Sequence, residues 1–97
     1  MFHTFAKKGF QVTFDNGFTV SVMFGASNYC ENRYSHVEVG DTVKVWSDHN
    51  SPDAEIAVIG PNGDFVTGFP GCPDCDQVRG WVDAEEMLQV MNWAAAQ

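Results

Sequence analysis

The sequence predicts an α+β domain: an antiparallel sheet of four to six strands with one C-terminal helix packed on one face. Three observations carry that prediction. Apolar residues alternate over residues 10–14 and 18–24, with the two-residue period of half-buried strands. Clusters of turn-forming residues, Asp15-Asn16-Gly17 and Gly60-Pro61-Asn62-Gly63, punctuate the short apolar runs, as hairpins require. After Asp83 the apolar spacing becomes helical. With 97 residues, the expectation is a single domain, 1–97, burying roughly 60–65% of its unfolded surface around one modest core.

The first two strands carry Phe10, Val12 and Phe14, then Phe18, Val20, Val22 and Phe24. Their register selects the turn between them. A two-residue loop at Asn16-Gly17 pairs Phe14 with Thr19 and sends the two apolar stripes to opposite faces. A three-residue loop pairs Phe14 with Phe18, Val12 with Val20 and Phe10 with Val22, which makes one buried surface. It also places Gly17 at the left-handed position of a type I turn with a G1 bulge. The three-residue loop is the expected one.

Residues 25–35 lack strand periodicity and read as a loop. Val37 to Trp46 reads as a hairpin or one bulged strand, interrupted by Gly40-Asp41. The segment 48–53 is a turn-rich connection. Ala54 to Ile59 is a further strand, and Asp64 to Phe69 returns as its partner with Val58 opposite Phe65. Pro70 to Gly80 reads as irregular. Asp83, with Glu86 three residues later, starts the helix as a capping box with an acid in place of Ser or Thr. Ala84, Met87, Leu88, Met91, Ala94 and Ala95 form its apolar stripe.

Charge bounds the function. Thirteen acids oppose five bases, a net charge of −8. Residues 1–47 are balanced, with Asp15, Glu31, Glu38 and Asp41 against Lys7, Lys8, Arg33 and Lys44. The second half holds nine acids against Arg79 alone. Direct nucleic-acid binding is not expected, because phosphate binding needs a basic stripe. No apolar run approaches the ~18 residues of a membrane span, and the N-terminus lacks the order of a secretory signal. Three cysteines do not make a secreted disulfide framework. The expected location is the cytoplasm, with no membrane contact.

Cys72-Pro73-Asp74-Cys75 is the clearest chemical motif. As thiolates, Cys72 and Cys75 could clip zinc, but Cys30, His3, His36 and His49 supply no second close pair. Redox catalysis would call for a helix start and a positive field, whereas Asp74 and Asp76 flank the motif. The bland reading is a surface loop with reduced thiols. Cys30, near Glu31 and His36, has the residue types of a thiol nucleophile but no sequence evidence of a base in reach or an oxyanion pocket. No enzymatic activity is expected, and zinc is the one cofactor the residues suggest.

Asp83, Glu85 and Glu86 suit a helix N-terminus whatever the function. Asp48, Asp53, Glu55, Asp64, Asp74 and Asp76 have no such local reason. Together with Trp46, which has the outward strand parity if the flanking valines are buried, they form the expected partner-binding set. Carboxylates and an aromatic anchor suit a basic protein partner. A zinc-stabilised structural or adaptor domain built on Cys72 and Cys75 is the alternative.

Three stretches also carry a resemblance. They are Phe24-Gly-Ala-Ser-Asn-Tyr-Cys-Glu-Asn-Arg33, Ala54-Glu-Ile-Ala-Val58 with the Asn62-Gly63 turn, and Asp76-Gln-Val-Arg-Gly-Trp-Val-Asp-Ala-Glu-Glu86. Over residues 10–96 the chain resembles small uncharacterised proteins of tailed phages and prophages. The resemblance implies no established activity, and the Cys-Pro-Asp-Cys segment departs from that group. It implies an early phage protein that interferes with a host machine, such as an acidic, non-enzymatic inhibitor of a defence nuclease.

Overall fold

A computed structural model describes residues 1–5, 9–25, 30, 51–73 and 77–97. Among the described residues six strands form one antiparallel sheet: β1 (Phe2–Phe5), β2 (Gly9–Thr13), β3 (Thr19–Met23), β4 (Ala54–Ile59), β5 (Phe65–Val66) and β6 (Val78–Val82). The order is β1-β2-β3-β4-β5, and β6 also pairs with β4. β5 takes the Val58–Ile59 end of β4, and β6 takes the stretch from Ala54 to Ala57. The helix α1 (Ala84–Ala95) contributes Val90 and Ala94 to the core that covers one face. The expected α+β architecture is the observed one.

The first hairpin has the expected register. Val12 lies opposite Val20 and Phe10 opposite Val22. Phe14 N–H donates to Phe18 O at 2.9 Å, Gly17 N–H donates back to Phe14 O at 2.9 Å, and Gly17 takes φ 88°. That conformation favours glycine because it lacks a Cβ. An added Cβ would also stand 3.0 Å from Pro61 of the second hairpin turn.

The second hairpin corrects the expected register by one residue. Val58 faces Val66 and Ile59 faces Phe65, not Val58 with Phe65. Gly60 N–H donates to Asp64 O at 2.8 Å and Gly63 N–H to Gly60 O at 2.9 Å. These are the same two bonds as in the first turn, closing a second three-residue loop. The pairing places Val58 and Val66 on one face, which a one-residue slip would undo. β5 is also shorter than the run 64–69.

Two strands go beyond the sequence reading. β1 is exposed along most of its length, so burial imposes no alternation on it. β6 lies in the segment expected to be irregular up to Gly80. Its register shifts between Ala54 and Ile56, and Trp81 takes φ 51° there, a conformation uncommon for a non-glycine residue. Before it, Phe69-Pro70-Gly71-Cys72 has the residue pattern of a type II turn. Cys72 N–H donates to Phe69 O at 2.8 Å, and Gly71 takes φ 79°.

The core gathers Val20 and Val22 of β3, Ile56 and Val58 of β4, Val82 of β6, Phe69 and Cys72 of the turn, and Val90 and Ala94 of α1. Each fully buried Val or Ile contributes roughly 1.5–3 kcal/mol relative to exposure. Phe10, Phe14, Phe18, Phe24, Met87, Met91 and Trp93 pack around it, half-buried. The helix stripe is therefore rotated from the expected one. Val90 is buried, whereas Ala84, Leu88 and Ala95 are exposed.

Candidate partner-binding cleft

The capping box forms as the sequence indicates. Glu86 N–H donates to Asp83 Oδ1 at 2.8 Å, and Asp83 N–H donates to Glu86 Oε1 at 3.3 Å. The other oxygen of Glu86, Oε2, accepts from Arg79 Nη2. Arg79 Nη1 also donates to Pro70 O at 3.2 Å. One arginine thus ties the 69–72 turn to the helix start. Its guanidinium lies where a Cβ on Gly71 would stand. The far end of α1 is held by Asn16, whose Nδ2 donates to Ala94 O at 2.8 Å while its Oδ1 accepts from Phe18 N–H at 3.0 Å.

These contacts leave an imbalance of charge. Among the described residues Asp15, Asp53, Glu55, Asp64, Asp83, Glu85 and Glu86 face a single Arg or Lys side chain, Arg79, and Arg79 is committed to Glu86. Of the expected set, Asp53, Glu55 and Asp64 are among the described residues. Asp64 sits in the β4–β5 turn, where its Oδ2 accepts from Asn62 Nδ2 at 3.0 Å. It therefore has the local turn role that its sequence context had not revealed. Glu55 lies in β4 opposite Met23. Asp53 precedes β4, and its carbonyl accepts from Ser51 Oγ at 2.6 Å. Asp48, Asp74, Asp76, Trp46 and Cys75 lie outside the described residues, as does the run from Val37 to Trp46.

Asp53 does meet another acid. A cleft of about 170 Å³ opens beside the first turn of α1. Phe10, Val22 and Phe24 line it from the sheet, and Ala84 and Met87 from the helix. Asp53 and Asp83 are its two ionisable lining residues. Four separate stretches of chain contribute to the wall, so no local motif announces it. The nearest sequence signal is the breadth of the apolar helix surface, wider than one sheet contact needs.

Cys72 departs from the reduced surface loop expected of its motif. It is disulfide-bonded and fully buried in the core. A disulfide sulfur offers no thiolate to zinc, so ligation by Cys72 and Cys75 would need the reduced state. Among the described residues no group of three His, Cys, Asp or Glu side chains is placed to hold a metal. Cys30 is a free, buried thiol that donates to Gly25 O at 3.6 Å. No described helix is long and apolar enough to cross a membrane. No family model matches the chain, and no characterised protein or solved structure is found to be similar to it.

Proposed function

We propose that the chain is a small acidic binding protein, of the kind phages encode, that modulates or inhibits a basic nucleic-acid-handling or defence protein of the host. Its carboxylates occupy the track that phosphates otherwise fill, without catalysis. The observation that carries this reading is the surplus of acid: thirteen Asp and Glu oppose five Lys and Arg, a net charge of −8, and the second half of the chain holds nine of those acids against Arg79 alone. Such a field steers association with a basic surface and is screened by salt.

The test is affinity capture from host lysate in about 50 mM and about 500 mM salt, where the Debye length falls severalfold. The wild type is compared with the combined reversal Asp53→Lys, Glu55→Lys, Asp64→Lys. A basic partner held at low salt, and lost at high salt or on reversal, is the expected result. A partner indifferent to both would overturn the reading. The zinc-domain alternative separates cleanly: less than about a tenth of an equivalent of zinc in protein purified under reductant would remove it.

A further inference from the structure

The chain carries two Asn-Gly pairs, Asn16-Gly17 and Asn62-Gly63. The fold sets them in twin turns. Gly17 N–H donates to Phe14 O and Gly63 N–H to Gly60 O, both at 2.9 Å, and each glycine takes φ 88°. The backbones of the two pairs are therefore alike. Their asparagine side chains are not.

Asn62 is exposed, and its amide serves its own turn. Its Nδ2 donates to Asp64 Oδ2 at 3.0 Å, and its Oδ1 accepts from Asp64 N–H at 3.3 Å. Asn16 joins two ends of the molecule. Its Oδ1 accepts from Phe18 N–H within the turn at 3.0 Å. Its Nδ2 donates to Ala94 O at 2.8 Å and to Gln97 O at 3.3 Å. Ala94 lies in the last turn of α1 and Gln97 just beyond it, where helix carbonyls lack partners of their own. No basic residue stands in that last turn, so the Asn16 amide supplies donors that a Lys or Arg would otherwise give.

Asn-Gly is the dipeptide most prone to deamidation, because glycine is conformationally free and sets no Cβ beside its own nitrogen. The reaction needs only the chain and water. Gly17 N gives its proton to base and attacks Asn16 Cγ. The N–Cγ bond forms, the Cγ–Nδ2 bond breaks, and ammonia leaves a cyclic succinimide. Water then opens the ring, at Cγ to give aspartate or at the main-chain carbonyl to give isoaspartate. The net change is an amide and water becoming a carboxylate and ammonium.

At Asn62 that change adds charge to an exposed turn. At Asn16 it removes the donor that holds the helix. A carboxylate cannot donate to Ala94 O or Gln97 O, and its charge meets the negative end of the helix dipole. An aspartate still accepts from Phe18 N–H, so the turn keeps its bond. The gating runs in the other direction too. Ring closure swings the Asn16 amide toward its own backbone, so Nδ2 must first leave the helix.

We propose that Asn16 is a modification site as well as a latch: its deamidation, held back by the hydrogen bonds to α1, releases the C-terminal end of the helix irreversibly. Asn62 is its ungated twin.

The full chain is aged in mildly alkaline buffer, folded and in urea, and its tryptic peptides are read by tandem mass spectrometry. Cleavage after Lys8, Arg33, Lys44 and Arg79 puts the two pairs on different peptides, and each conversion adds about 1 Da. In the folded chain Asn62 should convert about tenfold faster than Asn16, the protection that one or two hydrogen bonds give. In urea the two rates should converge. Asn16→Asp supplies the product directly. It should speed hydrogen exchange at the amides of Trp93 to Ala95 about tenfold, while Asn62→Asp leaves them unchanged.

Equal rates at Asn16 and Asn62 in the folded wild type would overturn the proposal, and that comparison needs no variant to fold. A rate difference that persists in urea would do the same, because it would belong to the sequence and not to the latch. So would unchanged helix exchange in Asn16→Asp. Global unfolding of Asn16→Asp beside a folded Asn62→Asp would also overturn it, since Asn16 would then hold the whole fold and not one helix end.

Discussion

The two flanks of α1 have opposite fates in the fold. One flank carries Glu86 and Trp93. Glu86 is bridged to Arg79, and the Trp93 ring stands 6.2 Å from Phe18 at 85° and 6.4 Å from Phe69. The other flank carries Ala84, Leu88 and Ala95, all exposed. Trp93 and Leu88 are nonetheless both large apolar residues of the one helix. The difference comes from residues outside the helix: Phe18 in the first hairpin, Phe69 in the turn before β6, and Arg79 in β6, the strand the helix follows. A periodic stripe shows that a helix has an apolar side, while tertiary partners decide which part of that side is buried.

The sharpest way to break this comparison is to remove an anchor of the fastened flank. Trp93→Ala deletes ring contacts with two phenylalanines beside the core. It should destabilise by about 3 kcal/mol, at the low end for large aromatic truncations because Trp93 is only half-buried. Urea denaturation reads this as a lowered midpoint with an unchanged slope. A loss under about 1 kcal/mol, within the usual range for a surface change, would mean that the two flanks are alike.

Two smaller effects probe the start of the helix on the same flank. Gly71→Ala forces a residue with a Cβ into φ 79° and displaces the Arg79 guanidinium from Pro70 and Glu86. The expected cost is about 1–2 kcal/mol, combining backbone strain with a lost charged hydrogen bond. In an Arg79→Met background the same substitution should cost less, because the displaced contact is already gone. Equal costs in both backgrounds would show that the turn is held by its backbone alone. Asp83→Ala removes the cap and should cost about 1 kcal/mol, read by thermal unfolding. Asp83→Asn should recover most of that loss, since an amide oxygen still accepts from Glu86 N–H.

These residues also show what the sequence could and could not disclose. The cap was legible because its two partners are three residues apart and its geometry is local. The first hairpin was legible because both strands are half-buried, and only one register joins their stripes. The second hairpin yields to the same argument, since Val58 and Val66 must share a face, but its turn chemistry alone suggested a shorter loop. β1 has no buried side and hence no period. In β6, Gly80 and the left-handed Trp81 break the alternation. Of the candidate site, Asp53 stood out as an acid without a local task. Asp83 looked fully explained by its cap, and the wall between them is assembled from β2, β3, the residues before β4 and the helix start.

The smallest expected effect bears most directly on the open flank. Leu88→Gln exchanges two residues of similar helix propensity at a position that is 58% exposed. Stability should move by no more than about 0.5 kcal/mol, as for surface substitutions away from caps and cores. The contrast with Trp93→Ala is then severalfold, although both residues belong to the apolar surface of one helix. If Leu88→Gln instead cost more than about 1 kcal/mol, the truncation range of a packed residue, the flank would be engaged within the folded chain, and the contrast between the two flanks would fall.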